Sequence, residues 1–504
     1  MSQWKLAAST AVIALVAGHS ALADVTPEQV WEDWQGLIKA YGQTLEVGGE
    51  NRSGDTLVVS GVKMIATEEG ASATVNIDEI SFQDRGDGSV LVKMSEQVPV
   101  EMAVPPVEGE AKAVNMAMQI SQPGLEIIAS GAPGEMRYDF TGPQMKITLT
   151  GTEEGATAPA MTFDFGFGGI AGNYLFAGTD TKTLNSSFKA DSMTFVMNVD
   201  EPEGDGVMKF EGAAANLTGT SNATLPANYD AANPAAALAA GMSVDGGFTY
   251  GASTFGFDYN ADGQSGKGNG TFTGGDFTVV LNQAQMGYGA SAQGAQMTFS
   301  SSDMPFPEVK LAYADSAFKF MMPVSKSDEP ADFAFLTKIV DLTISDEIWG
   351  MFDPTAQLPR DPVSVVLDTK GKAKMTTDIL DPAQAEAMGE GAPGELHALD
   401  LTQLQIKAIG AEITGDGALT FDNSDLETFG GMPVPTGTIN IKAVGVNGVM
   451  DKLVAMGLLP EDQVMGARMM LGMFAKVVEG ETDTLTSTLE FKDKGFFANG
   501  MQLQ

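Results

Sequence analysis

From Asp55 onward, apolar and polar residues alternate with a period of two. Val98, Val100, Met102 and Val104 alternate with Pro99, Glu101 and Ala103. The same rhythm runs through Val114, Met116, Met118 and Ile120, through Met136, Tyr138 and Phe140, and through Met145, Ile147 and Leu149. It returns in Met161, Phe163, Phe165 and Phe167, in Met193, Phe195, Met197 and Val199, and in Val309, Leu311 and Tyr313. Alternation of this kind sets one face of a sheet on a core and the other in water. Turn-forming clusters separate the runs: Asp84 to Gly88, Gly151 to Gly155, and Glu203 to Gly206. Strands at such short intervals predict a mainly β fold of large antiparallel sheets, curved or elongated, rather than βαβ units.

Helical spacing is confined to a few places. Thr26-Pro27-Glu28-Gln29 is a helix start, with Thr26 as cap, Pro27 in the first turn and Gln29 closing a capping box. Val30, Trp34, Leu37, Ile38 and Tyr41 follow on one face. This predicts an amphipathic helix that plugs one end of a β core. A carbohydrate or lipid contact by Trp31 and Trp34 is the alternative. Asn233-Pro234, Ala235 to Ala240 and Gly241 read as a short capped helix, near a boundary between a β-rich region 24–225 and a second one, 226–504. A glycine-rich stretch, Gly246 to Gly294, still holds strand fragments such as Phe277, Val279 and Leu281. Near the end, Leu399 to Ala408 and Ala411 to Phe421 predict a hairpin, and Gly437 to Val444 a third strand. Helices follow at Gly448 to Met456 and from Pro460, with Val464, Ala467, Leu471, Phe474 and Val478 on one stripe. Thr484 to Phe491 and Phe496 to Leu503 close this strand-helix-helix-strand unit. The helices, near 448–478, are expected to pack their apolar faces on a sheet.

Composition narrows the picture. The chain has 504 residues, of which 43% are hydrophobic, so it can bury a core. Against 28 Lys and Arg stand 66 Asp and Glu, a formal charge of -38. Such a surface repels phosphate backbones, so nucleic acid is not an expected partner. There is no cysteine, which excludes disulfides, thiolate nucleophiles and a lipoprotein anchor.

Met1 to Ala23 has the form of a secretory signal peptide: Lys5, an apolar run from Leu6 to Ala17, and Ala21-Leu22-Ala23 as cleavage site. The mature chain is expected to begin at Asp24 and to reside in the periplasm. The apolar run is shorter than the roughly 20 residues a bilayer needs, and no later stretch reaches that length.

Several stretches resemble a known family. They are Ile344-Ser345-Asp346-Glu347-Ile348-Trp349, Phe352-Asp353-Pro354, Leu358-Pro359-Arg360-Asp361-Pro362, Ala392-Pro393-Gly394-Glu395-Leu396 and Gly415 to Asp422. The strongest is Val449 to Leu471, with its core Leu453-Val454-Ala455-Met456-Gly457-Leu458-Leu459-Pro460. Together they resemble domain-of-unknown-function family 2125, of exported alphaproteobacterial proteins, over most of the mature chain and most clearly after Ile344. The resemblance brings no activity and no catalytic residue with it. In architecture alone the chain is also similar to AsmA-like envelope proteins, whose curved sheets present an apolar groove to lipid.

Candidate chemistry is sparse. His397 is the one histidine after the first segment, so a Ser-His-Asp triad or a zinc site has little to build on, and a structural role is expected. Ser186 to Lys189 and Ser316 to Lys319 fit the S-x-x-K spacing. That spacing serves catalysis on a helix, whereas on strands it splits the pair across two faces. Asp258, Asn260 and Asp262 match the start of a calcium loop, but Asn269 stands where the bidentate glutamate belongs, so a hairpin turn is expected and weak Ca²⁺ binding is the alternative. Arg85-Gly86-Asp87 reads as a turn. Methionine is enriched, with 29 in the chain. It either fills the core or lines an adaptable apolar groove.

These features predict a non-catalytic envelope protein without a cofactor, binding lipid or an envelope partner through a Met/Phe-lined sheet face. Two alternatives stand beside it. One is an outer-membrane β-barrel, which the final Leu503-Gln504 and the two late helices disfavour. The other is a hydrolase working through paired carboxylates.

Overall fold

The computed structural model describes residues 24–40, 42–68, 71–104, 114–153, 161–178, 181–200, 206–227, 233–261, 263–389 and 391–504. The fold is mainly β: of the described residues 64% are strand and 13% helix, with antiparallel pairing throughout the described registers. Helix α1 (Pro27–Ala40) leads into β1 (Thr44–Ser53), β2 (Thr56–Glu68), β3 (Ala71–Asp84), β4 (Val90–Met94), β5 (Gln97–Val104), β6 (Val114–Ser121), β7 (Glu126–Ala132), β8 (Glu135–Glu153), β9 (Met161–Ala177), β10 (Lys182–Asp200) and β11 (Val207–Leu225). Then come α2 (Pro234–Ala239), β12 (Ser243–Tyr250), β13 (Ser253–Ala261), β14 (Gln264–Phe272), β15 (Gly274–Leu281), β16 (Gln285–Ser301), β17 (Val309–Pro323) and β18 (Ala331–Ile344). The chain continues through α3 (Asp346–Phe352), β19 (Val363–Met375), α4 (Pro382–Met388), β20 (Gly394–Ala408), β21 (Ala411–Asp422) and β22 (Val434–Val444). It ends with α5 (Val446–Ala455), α6 (Glu461–Phe474), β23 (Lys476–Val477), β24 (Thr484–Lys492), β25 (Gly495–Ala498) and β26 (Met501–Gln502). Two compact units result. One comprises 1–227, 246–271 and 299–305; the other comprises 228–245, 272–298 and 306–504.

In the first unit, the predicted capping box forms. The Thr26 amide donates to Gln29 Oε1 at 2.9 Å, and the Gln29 amide donates to Thr26 Oγ1 at 3.3 Å. Helix α1 then lays Val30 and Trp31, both buried, against β1–β3. Trp31 and Trp34 meet Phe82 with ring centroids 5.8 and 5.5 Å apart, so both tryptophans serve the core rather than a sugar. Around them Val59, Ile80, Phe82, Val90, Val92, Ile127, Met136 and Tyr138 form a closed cluster.

The long strands β8, β10 and β11 have 19 residues each, about 60 Å at the usual rise. Within β8 the alternation slips by one. Met136, Tyr138 and Phe140 are even-numbered and join the cluster, whereas the odd-numbered Met145 also packs against it and leads on to Ile147 and Leu149. The same slip occurs in β9 between Ile170 and Phe167, and in β10 between Ala190 and Met193. The register omits Pro143, Gly169, Asp191 and Asn216 at this level. Gly169 (φ 59°) and Asn216 (φ 54°) take the left-handed conformation there, which glycine and asparagine tolerate best. A Cβ on Gly169 would collide with the Asp191 carboxylate. The two runs that share β8 therefore keep their apolar residues on one side because an irregularity crosses several strands together.

In the second unit, β20 and β21 form the predicted hairpin, with β22 as its third strand. Helix α2 carries its expected cap, Ala236 N–H donating to Asn233 Oδ1 at 3.0 Å. Helix α5 packs on β21 as expected, but α6 packs on α5. Val464 of α6 is buried and Ala467 and Leu471 are half-buried, whereas Phe474 is exposed and Val478 lies beyond the helix end. The stretch from Phe496 to Leu503 is not one strand. It turns at Asn499 and Gly500, both left-handed, so β25 and β26 pair with each other.

Candidate functional site

The slip prolongs one apolar side of the first unit past its closed core. Three cross-strand rows carry it over β6, β8, β9, β10, β11 and β13. The first is Met118–Leu149–Phe163–Met197–Phe210–Phe257. The second is Ile120–Ile147–Phe165–Phe195–Gly212–Phe255, and the third Met116–Gly151–Met161–Val199–Met208–Tyr259. Residues directly opposite in an antiparallel pair share a face, so each row is a continuous apolar band. Most of these side chains are half-buried, and Met208 is 41% exposed, unlike the sealed cluster beneath α1. Phe163 and Phe165 stack at 6.0 Å, and Phe165 meets Phe167 edge-on at 4.8 Å. Gly212 makes room for this face, since a Cβ there would fall about where the Phe195 ring lies.

The opposite side of the same strands is polar. Lys146 pairs with Asp164 at 3.0 Å, Lys209 with Glu211 at 2.7 Å, and Asn198 donates to Thr162 Oγ1 at 3.0 Å. The sheet is therefore oily on one side and charged on the other, as the period of two requires. A shallow depression of about 340 Å³ lies elsewhere in the unit, where Gly48, Gly61 and Asp78 mark the equivalent slip in β1–β3.

The sequence-predicted candidates fall away from any shared centre. Asp258 and Asn260 are exposed on β13, and Asp262 lies outside the described residues. Among the described residues, no group of three or more His, Asp or Glu is placed to hold a metal. Ser186 and Lys189 sit three apart on β10, as do Ser316 and Lys319 on β17, and so point to opposite faces. Ser186 and Ser316 hydroxyls instead donate to the carbonyls of Ser221 and Ala292. His397 lies on β20 with Nε2 3.4 Å from Glu395 Oε2. Arg85, Gly86 and Asp87 do form a turn, closed by Gly86 N–H on Asp84 Oδ1 at 2.8 Å. The segment Met1 to Ala23 lies outside the described residues.

The perturbed carboxylates hold structure. Asp353 is fully buried. Burial pushes its pKa up, but the Gln357 and Leu358 amides, donating at 2.9 and 2.8 Å, and nearby Arg360 leave it below the ordinary value. The Arg360 guanidinium lies 5.7 Å from the Trp349 ring and pairs with Asp346. The Asp346, Trp349, Asp353 and Arg360 of the stretches singled out in the sequence thus build one folded corner.

Residues 290–502 match the model of a family described as an uncharacterized protein conserved in bacteria (DUF2125). The match spans less than half of the chain, and over that segment the chain is similar to the family. The DUF2125 segment contains every stretch that carried the resemblance, and the residues before 290 lie outside the match. Neither a curated protein nor a solved structure matches the chain. Among the described residues, no helix is long and apolar enough to cross a membrane.

Methionine was expected to be either core filler or groove lining, and the structure divides it three ways. Met136 and Met375 are buried, and Met116, Met118, Met145, Met161, Met193 and Met197 line the half-buried face. Met465, Met469, Met470 and Met473 stand exposed on α6. Sequence periodicity could not separate these classes, because an outward methionine on a helix looks like an inward one until the helix has a neighbour.

Proposed function

We propose that this chain is an exported, non-catalytic envelope protein that holds a lipid-type apolar ligand against the Met/Phe face of β6–β13. The observation that carries the reading is the three-row apolar face, half-buried and continuous with a closed core. A ligand that covers it gains about 0.8 kcal/mol for each CH₂ taken out of water. Methionine and phenylalanine suit chains of differing shape, because thioether side chains adapt and rings supply broad contact area. The form of the first segment supports export to the periplasm. Absence of cysteine, a single histidine after the first segment, which is half-buried, and the commitment of Asp353 and Asp483 to a corner and a helix cap support a binding role over catalysis.

The test is expression of the full chain in a Gram-negative host, osmotic-shock release without detergent, and native mass spectrometry. The expected result is a released chain beginning at Asp24, carrying a lipid-mass adduct that Phe165→Asp with Met197→Asp removes. A chain retained in the cytoplasm with its first segment intact would overturn export. A chain that requires detergent for extraction would favour the barrel. A released chain with no adduct, and no binding of a fluorescent fatty acid, would overturn ligand binding.

A further inference from the structure

Helix α6 buries one side only. Val464 is buried and Ala467 and Leu471 are half-buried, whereas Met465, Met469, Met470 and Met473 are 62%, 69%, 58% and 48% exposed. At 100° per residue, Met469, Met473 and Met470 fall within an arc of about 100° opposite the buried side. Met473 is four residues from Met469 and three from Met470, so their Cβ atoms lie about 5–6 Å from it. Each side chain has three rotatable bonds, enough for the three sulfurs to meet above the helix surface. The nearest cation on the helix, Arg468, is turned to α5, where it pairs with Asp451 at 2.7 Å and donates to the Asn447 carbonyl at 3.2 Å.

We propose that Met469, Met470 and Met473 form a binding site for a soft monovalent metal ion, Cu(I) or Ag(I), with Met465 beside it as a further thioether. Thioether sulfur is a neutral, soft donor that favours Cu(I) over Ca²⁺, Mg²⁺ or Zn²⁺. A neutral ligand set leaves the ion its positive charge, which the formal -38 of the chain attracts. The site lies in the other unit from the Met/Phe sheet face and stands independently of the lipid reading.

The test is titration of the purified full chain with Ag(I) in chloride-free buffer, followed by NMR of methionine methyl groups labelled with ¹³C. The methyl signals of Met469, Met470 and Met473 are expected to shift together and saturate near one equivalent. Replacing all three with leucine, which keeps size and helix propensity, should weaken binding at least tenfold with the circular dichroism spectrum unchanged. Replacing the equally exposed Met351 and Met432 with leucine should leave it unchanged. Equal affinity in the triple variant and the parent, or shifts spread evenly over all exposed methionines, would overturn the site.

Discussion

The hydroxyl of Tyr138 donates to Asp33 Oδ2 at 2.6 Å, tying the first helix to a strand 105 residues later. Tyr138 is fully buried, and burial together with the Asp33 charge pushes its pKa well up, so it remains a donor at any working pH. Burial also raises Asp33 above the ordinary 3.8, and the Tyr138 hydrogen bond and Lys182 offset only part of that rise.

This fixes the sign of a pH dependence. A carboxyl whose folded pKa is raised contributes its full stability below 3.8 and loses it as pH climbs through the folded value. Asp33→Asn removes that loss while its amide oxygen still accepts from Tyr138. Its melting temperature should gain on the parent between pH 4 and pH 7. Parallel melting profiles would refute the linkage. Tyr138→Phe, which strands the carboxylate, should cost about 1–3 kcal/mol in urea unfolding at neutral pH.

Helix α5 is capped from a distance. Its own cap residue, Gly445, has no side chain, and Asp483 supplies the acceptor, taking the Gly448 amide at 2.8 Å and Asn447 Nδ2 at 2.8 Å. Burial raises Asp483, but these hydrogen bonds, with Arg468 nearby, outweigh it and lower its pKa. Asp483→Ala should cost about 1 kcal/mol and speed hydrogen exchange at Asn447 and Gly448. Unchanged exchange at both amides would show that the cap contributes nothing.

Gly169 holds the slip that keeps the apolar face continuous. Gly169→Val must adopt a left-handed conformation and displace Asp191. We expect a loss of more than about 1 kcal/mol, with weaker fatty-acid binding as the rows beyond it turn away. A variant as stable as the parent would mean that the strands absorb the change.

On the sheet face, Phe165→Asp should lower fatty-acid affinity at least tenfold while a polar-face substitution, Lys146→Gln, leaves it unchanged. Equal losses in both variants would place the ligand elsewhere.

Much of the architecture was legible in particular residues. The capping box at Thr26 and Gln29, the Asn233 cap and the β20–β21 hairpin all form where local chemistry placed them, because each is decided within a few residues. The Met/Phe runs announced strands, and the stretches from Ile344 to Leu471 announced the family similarity over residues 290–502. The run from Phe496 to Leu503 misled, since its alternation masks a turn at Asn499-Gly500. The exposed methionines of α6 were equally hidden, because a stripe of apolar residues does not record whether a neighbour covers it.

The sequence by itself determined the strand period, the helix starts, the charge and the lack of thiols, since these depend on neighbours along the chain. Only the tertiary structure decided which apolar runs are sealed and which stay half-open. It also placed Asp483 on a helix 35 residues away and aligned the slips of Gly169, Asp191 and Asn216. Those outcomes depend on cross-strand register, and a register pairs residues that no local pattern brings together.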